Sequence, residues 1–186
     1  MEIVSQPETG RILVVDDEAT MRRLLEKLLR MEGYDVLLAA SGEQALAELL
    51  KHGADTVLLD MRMPGMTGLD VCRQIRHHPR SLHTPVVFIT AVNDRELRRK
   101  GMEAGADDFL SKPFDEVELL ARIRNCVRVK RYYDNIEQQK EQLELAVGWV
   151  AEEGPHLHEV AEAARELLGR VVDEEDGVGL HAARRP

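Results

Sequence analysis

Short apolar runs alternate with amphipathic segments through the first 130 residues of the chain. The runs are short enough to be strands, and they lie at 11–15, 34–40, 56–60, 85–90 and, more weakly, 107–110. Apolar side chains at helical spacing predict helices at 19–31, 42–51, 68–77 and 93–104, with a fifth from residue 115 onward. Buried strands that alternate with helices predict an α/β fold, a doubly wound parallel sheet with strand order 2-1-3-4-5.

Charge is spread unevenly along the chain, and the composition changes near residue 130. The sequence holds 25 basic and 34 acidic side chains, a net charge of −9, and residues 131–186 alone carry 6 basic and 13 acidic ones. Such a balance argues against direct nucleic-acid binding and against a polybasic membrane-surface protein. The break in composition predicts a globular domain at 10–128 followed by an acidic helical extension.

Targeting and redox signals are weak in this sequence. Apolar runs of about 18 residues, long enough to span a bilayer, are not found, and residues 1–10 are polar and unlike a signal peptide. Cys72 and Cys126 are too few for a disulfide framework and indicate a reducing compartment. We therefore expect a cytoplasmic protein without a membrane partner.

Polar side chains stand where the predicted strands end. Asp16 and Asp17 follow the first strand, Asp60 ends the third, Thr90 ends the fourth, and Lys112 comes after the fifth. In a doubly wound sheet these carboxyl ends meet at one edge, where the strand order reverses and ligands bind. Three crowded carboxylates repel each other unless a cation joins them, and Mg²⁺ is the hard ion that suits oxygen ligands.

This combination of residues suits phosphoryl transfer. A carboxylate next to such an ion can attack phosphorus as a nucleophile, and the reaction needs little beyond alignment and neutralisation of charge. Each element is weak alone, because an Asp pair often caps a helix, Lys-Pro is common in loops, and a threonine at a strand end is usually structural. Their joint order at successive strand ends favours a site.

The chain resembles the receiver domain of two-component response regulators, a flavodoxin-like (βα)5 fold, over residues 10–128. The resemblance rests on ILVVDDE at 12–18, LLDMRMPGMTG at 58–68, FITA at 88–91 and GADDFLSKPF at 105–114. It implies a phosphoacceptor signalling domain rather than an enzyme. Asp60 would accept a phosphoryl group from a histidine kinase or phosphotransfer protein. Lys112 would pair with a phosphoryl oxygen, and Thr90 would turn its hydroxyl onto the phosphoryl group.

The resemblance also implies the metal ligands. Mg²⁺ would be held by Asp17 directly, by Asp16 directly or through water, by Asp60, and by the backbone carbonyl of Arg62. Because Val92 lacks a polar group to place an attacking water, we expect slow autodephosphorylation.

A conformational switch is the further implication of the resemblance. Phe109 occupies the aromatic switch position, where the ring turns inward as Thr90 moves, and the Lys112–Pro113 peptide is expected to be cis. Phosphorylation adds negative charge and acceptor oxygens, and so would bias a two-state face made of the fourth helix, fifth strand and fifth helix. In the family that face dimerises or meets a partner.

The tail beyond the globular domain carries less information. Val129, Ile136, Leu143 and Val150 recur every seven residues, which favours a dimerising coiled-coil helix at 129–153 that continues the fifth helix. The alternative is an amphipathic helix packed back on its own domain. We expect a short amphipathic helix at 156–172 and a disordered tail at 173–186.

Two functions are compatible with these features of the sequence. The first is a response regulator that signals as a homodimer, through its C-terminal helix or through the helix 4–strand 5–helix 5 face. The second is the receiver fragment of a larger regulator whose output domain, such as a cyclic-di-GMP cyclase or phosphodiesterase, is absent from this chain. A phosphatase of the dehalogenase type is a poorer alternative, because it needs a second acid at position 62, where the chain has Arg62.

Overall fold

Five βα units make up the part of the chain that the computed structural model describes, which is residues 10–91 and 95–153. The elements are, in chain order, β1 Arg11–Val15, α1 Ala19–Met31, β2 Asp35–Ala39, α2 Gly42–His52, β3 Thr56–Asp60, α3 Gly68–His77, β4 Val86–Ala91, α4 Arg95–Glu103, β5 Asp108–Lys112 and α5 Glu116–Glu153.

All neighbouring strands of the sheet are parallel, in the order β2-β1-β3-β4-β5. The chain winds outward from β1 to β2, then crosses back to β3 and continues to β5 on the other side. The predicted doubly wound fold and strand order are confirmed. The reversal lies between β1 and β3, so the loops that follow these two strands diverge and leave a crevice at their carboxyl ends.

The middle of each strand is apolar because both faces of the sheet are covered. Successive side chains of a strand point to opposite faces. One face packs against α2 and α3 and contains Leu13, Val15, Val57, Leu59 and Phe88. The other packs against α1 and α5 and contains Ile12, Val14, Leu58, Val87 and Ile89. The sheet is thus packed on both faces, and this packing holds the carboxyl ends of its strands in place.

Strand β5 is longer than the apolar pattern predicts. It continues to Lys112, in register with Ala91 of β4, whereas the sequence favoured an end at Leu110. The expectation that Lys112 follows the fifth strand is therefore wrong, because Lys112 is the last residue of that strand. Ser111 and Lys112 pair as strand residues although they are polar, because the carboxyl end of β5 leaves the core and reaches the rim of the sheet.

Helix α5 continues beyond residue 128, where the sequence predicts that the globular domain ends and a helical extension begins. It runs from Glu116 to Glu153. The chain divides into two compact units, of which the first ends at Tyr133 and the second begins at Asp134. The predicted helix at 156–172 and the tail at 173–186 lie outside the described residues.

None of the described helices has a stretch that is apolar over the length needed to cross a bilayer.

Candidate functional site

Two carboxylates are buried at the crevice between β1 and β3. Asp16 follows β1 and is 2% exposed, and Asp60 is the last residue of β3 and is 8% exposed. Asp17, the next residue along the loop, is exposed. Burial of an ionised carboxylate is costly unless it is paired, so the two buried groups need a cation.

Lys112 supplies that cation from the carboxyl end of β5. Its Nζ donates hydrogen bonds to Asp60 Oδ1 at 2.9 Å and to Asp16 Oδ2 at 3.0 Å. The three side chains come from widely separated parts of the sequence, and the strand order β1-β3-β4-β5 brings them to one rim. The site therefore has an ammonium group between two buried carboxylates.

The environment shifts the pKa values of two of these groups. Burial raises the pKa of Asp60, and the hydrogen bond from Lys112 opposes part of that effect. Burial alone would lower the pKa of Lys112, but its hydrogen bonds to Asp60 and Asp16 outweigh this effect and leave the pKa raised. Lys112 is consequently a stable cation at the site.

Main-chain contacts fix the remaining oxygen atoms. Asp16 Oδ1 accepts from the backbone N–H of Glu18 at 2.8 Å, and Asp60 Oδ2 accepts from the backbone N–H of Arg62 at 2.9 Å. The Asp16 carbonyl oxygen accepts from the guanidinium of Arg22 at 2.6 Å. Both carboxylates are thus held in orientation by the loops that follow their strands.

The loop after Asp60 needs a glycine where it turns into α3. A β-carbon at Gly68 would collide with the carbonyl oxygen of Asp60 and would lie 2.9 Å from Cα of Met61. Thr67 and Asp70 then form a reciprocal capping box that starts the helix. Asp60 can therefore sit at the rim only because α3 begins without a side chain against its backbone.

The predicted switch residues lie beside this rim. Thr90 is half-buried near the end of β4, in register with Ser111. The Phe109 ring is 6% exposed, with its centroid 5.8 Å from that of Phe88. The Lys112–Pro113 peptide is cis, as the resemblance implies. Val92, the predicted neighbour of an attacking water, lies outside the described residues.

The oxygen atoms present fit Mg²⁺ in chemistry, although they do not form a ready cluster. No group of three or more His, Cys, Asp or Glu side chains that could hold a metal converges within 10–91 and 95–153. Of the three carboxylates that the sequence leads us to expect together, Asp16 and Asp60 share the Nζ of Lys112, whereas Asp17 is exposed. Mg²⁺ needs only one or two carboxylates and keeps several waters, so the oxygen donor set remains suitable.

Three residues were not identified from the sequence, namely Arg22 beside the site and Gly101 and Arg98 beside the Phe109 ring. Arg22 gave no signal, because a surface arginine in a first helical turn is common. Gly101 did give a signal, because a glycine in the interior of a predicted helix often marks a place where another group packs closely. Arg98, whose guanidinium carbon lies 5.4 Å from the centroid of the Phe109 ring, could not be placed without the fold.

Comparison with known proteins agrees with this geometry. The family model described as "Response regulator receiver domain" matches residues 12–124. The chain is 46% identical over 132 residues to the response regulator PleD of Caulobacter vibrioides, a match that covers 71% of this chain and 29% of that protein. It is 42% identical over 125 residues to the transcriptional regulatory protein ResD of Bacillus subtilis, covering 67% of this chain and 51% of that protein.

Solved structures give the same result. A putative response regulator from Chloroflexus aurantiacus has a TM-score of 0.63 at 39% identity, covering 64% of this chain and 98% of the other. The receiver domain of a sensor histidine kinase from Pseudomonas aeruginosa, which has a magnesium ion coordinated in its active site cleft, has a TM-score of 0.61 at 31% identity, with 64% and 98% covered. The fold, the strand-end site and the family match agree, and the chain belongs to the response regulator receiver domain family.

Proposed function

We propose that this chain is a two-component response regulator in which Asp60 accepts a phosphoryl group from a histidine kinase or a phosphotransfer protein. The observation that carries the proposal is the bridge of Lys112 between Asp60 and Asp16 at the switch point of the sheet. It joins a buried nucleophile to a fixed cation, which is what phosphoryl transfer requires.

The proposed reaction exchanges one bond to phosphorus for another. An Asp60 carboxylate oxygen bonds to phosphorus, the phosphorus–nitrogen bond of the donor phosphohistidine breaks, and the imidazole keeps that electron pair and takes up a proton. Lys112 donates to a phosphoryl oxygen in place of Asp60 Oδ1, and Thr90 contributes its hydroxyl. Asp17, Asp60, the Arg62 backbone carbonyl and, directly or through water, Asp16 would hold Mg²⁺, which would supply positive charge at the phosphoryl group.

Labelling with acetyl phosphate and Mg²⁺, read by intact mass, tests the phosphoacceptor. We expect the wild type to gain one phosphoryl group and Asp60→Ala to gain none. Asp35→Asn is the matched control, because Asp35 is an exposed carboxylate paired with Arg11 at the opposite end of the sheet. Labelling of Asp60→Ala at the wild-type rate would contradict the proposal.

The proposed output is a homodimer formed by the extension of α5, with the α4–β5–α5 face as the other candidate surface. In support, Val129, Ile136 and Leu143 recur at seven-residue spacing on one continuous helix and are 44%, 38% and 43% exposed. Apolar side chains at this spacing on exposed helix are typical of a coiled coil. We further propose that the protein acts in the cytoplasm, turns over no substrate of its own beyond slow autodephosphorylation, and binds no nucleic acid directly.

Light scattering after size exclusion tests the output. The wild type and Ile136→Glu are compared with and without beryllofluoride and Mg²⁺, the mimic of a phosphorylated aspartate. A dimer that the glutamate removes supports the helix as the interface. A dimer that survives Ile136→Glu favours the α4–β5–α5 face, and a monomer in every condition contradicts homodimerisation.

A second candidate is the receiver portion of a larger regulator whose output domain, such as a cyclic-di-GMP cyclase or phosphodiesterase, is absent from this chain. The observation that favours it is length, because the matched region spans 29% of PleD and 51% of ResD. An immunoblot of native cells with an antibody to residues 10–128 separates the candidates. A band near 21.0 kDa favours the first candidate, and a much heavier band favours the second.

A further inference from the structure

The Phe109 ring is enclosed on the face of the sheet that α4 covers. It is 6% exposed, and it packs beside Phe88 with the two ring planes tilted by 33°. Helix α4 supplies the other wall. The position of this ring therefore depends on what α4 presents to it.

Gly101 of α4 leaves the space that the ring fills. A β-carbon at this position would lie 2.7 Å from Cε1 and 2.8 Å from Cζ of Phe109, and 3.2 Å from Cε of Met61. The first two atoms belong to a rigid ring, so they cannot yield as the end of a flexible side chain would. Any residue other than glycine at 101 is incompatible with the ring in this place unless the ring or the helix moves.

The backbone gives no other reason for a glycine here. Gly101 is buried inside α4 and is not among the described glycines with positive φ, so its conformation is open to alanine. Glycine costs a helix interior about 1 kcal/mol relative to alanine. The helix is therefore less stable than it could be, and what it gains in return is room for the Phe109 ring.

Arg98 covers the same ring from the solvent side. Its guanidinium carbon lies 5.4 Å from the ring centroid, within the range of a cation–π contact. Arg98 precedes Gly101 by three residues, a spacing that places both on one face of the helix. Arg99, its neighbour, pairs with Glu96 and Glu103 of α4 instead.

We propose that Gly101 and Arg98 are the positioning residues of the Phe109 switch. Gly101 leaves room for the ring in its inward position, and Arg98 covers the ring from the solvent side. The inference rests on the proposed function and on the switch that the family resemblance implies, in which the Phe109 ring turns inward as Thr90 moves onto the phosphoryl group. Coupling between two sites is reciprocal. A substitution that makes the inward ring costlier therefore weakens binding of the phosphoryl mimic at Asp60, although neither residue is part of that site.

Fluorine NMR on protein labelled with 2-fluorophenylalanine reads the ring directly and leaves Cε1 and Cζ, the atoms that face Gly101, unsubstituted. The sequence has 3 phenylalanines, Phe88, Phe109 and Phe114, and the Phe109 signal is assigned as the one missing from Phe109→Leu. In Gly101→Ala we expect this signal to shift and to broaden strongly with a soluble nitroxide. The signals of Phe88 and Phe114 should change much less.

Affinity for beryllofluoride with Mg²⁺ is the second readout. We expect Gly101→Ala to weaken it about tenfold, within the usual range for coupled sites, and Arg98→Gln to weaken it less. Met102→Ala, an exposed change on the same helix, and Arg99→Gln are controls that should leave both readouts unchanged. In a Phe109→Leu background, Gly101→Ala should lose most of its effect, because the flexible leucine can yield.

Distinct results overturn the proposal. If the Phe109 signal of folded Gly101→Ala matches the wild type in shift and broadening, the steric role of Gly101 is wrong. If the ring moves but mimic affinity does not change, the coupling is wrong. If Gly101→Ala does not fold, Arg98→Gln carries the test, and an unchanged ring signal and affinity in it refute the role of Arg98. Failure of the proposed function gives a different result, because the wild type itself would then not bind beryllofluoride with Mg²⁺.

Discussion

Lys112 and Asp60 are separated by 52 residues, yet the Lys112 Nζ lies 2.9 Å from Asp60 Oδ1. The same ammonium holds Asp16 Oδ2 at 3.0 Å, so one cation is shared by two buried carboxylates. The arrangement gives Lys112 two roles. We expect it to stabilise the fold in the absence of a metal ion and to place a positive charge where a phosphoryl group on Asp60 would need it.

Replacing Lys112 with alanine should destabilise the metal-free protein. Removing one partner of a buried ion pair costs about 3 kcal/mol because the other charge stays buried, and here two carboxylates lose their cation. We expect Mg²⁺ to restore more of the unfolding free energy in Lys112→Ala than it adds to the wild type. Urea denaturation with EDTA and with Mg²⁺ measures both effects.

Lys100→Ala is the matched control for this prediction. Lys100 is an exposed residue of α4, and substitutions at exposed positions usually change the unfolding free energy by less than about 0.5 kcal/mol. Equal stability of Lys112→Ala and Lys100→Ala in EDTA would show that the bridge contributes nothing to the fold.

The raised pKa of Asp60 should make the contribution of this residue to the unfolding free energy decrease as pH rises. Because burial raises its pKa, the folded state holds the Asp60 proton to higher pH than the unfolded chain does. The stability contributed by this group is therefore present below the unfolded value, about 3.9, and is lost as pH rises through the higher folded pKa. In EDTA, we expect the unfolding free energy of the wild type minus that of Asp60→Ala to decrease over that window, as measured by urea denaturation at several pH values.

Asp70 provides a control of opposite sign. The Thr67 hydroxyl holds the pKa of Asp70 below its usual value, so stability from this group is present above the unfolded pKa and is lost as pH falls through the folded one. The difference between the wild type and Asp70→Asn should therefore increase as pH rises. The same slope for both variants would contradict the assigned direction for Asp60.

The strand ends were predictable from sequence because they depend on two simple rules. Apolar runs that alternate with helices predict a parallel sheet, and the carboxyl ends of its strands lie at one edge. Asp16, Asp60 and Lys112 were therefore expected at the same edge. The end of β5 was not predictable by the same rule, since Ser111 and Lys112 are polar strand residues at the rim.

Individual side-chain contacts could not be predicted from the sequence. That Lys112 bonds both carboxylates, rather than one, depends on distances of a few ångströms that no spacing rule contains. The contact of Arg98 with Phe109 depends on how α4 packs on β5.

Arg22 should hold the loop that carries Asp17. Its guanidinium bonds the Asp16 carbonyl at 2.6 Å and so fixes the peptide that joins Asp16 to Asp17. If this contact orients the loop for Mg²⁺, Arg22→Met should weaken Mg²⁺ affinity about tenfold, as loss of a supporting contact around a metal usually does. If Arg22 acted only through its charge, removal of a nearby cation would tighten Mg²⁺ binding instead.

Isothermal titration with Mg²⁺ shows whether loss of Arg22 weakens Mg²⁺ binding, as a positioning role requires, or tightens it, as a pure charge effect would. Arg22→Lys keeps the charge and one possible donor, so it should recover part of the lost affinity. Arg23→Met is the control, because Arg23 is the exposed neighbour on α1. Tighter binding by Arg22→Met than by the wild type would refute the positioning role.

Gly68→Ala should damage both stability and phosphorylation. A methyl group at 68 meets the Asp60 carbonyl oxygen and lies 2.9 Å from Cα of Met61, and both are backbone atoms that cannot rotate away. Overpacking of this kind costs about 1–3 kcal/mol, and the relief of the collision must shift Asp60 from Lys112. We expect a lower unfolding free energy and slower acetyl phosphate labelling, whereas Arg73→Ala on the exposed side of α3 should change neither by much. Wild-type labelling in a folded Gly68→Ala would mean that Asp60 tolerates movement of its backbone, and the requirement for glycine would then be one of folding alone.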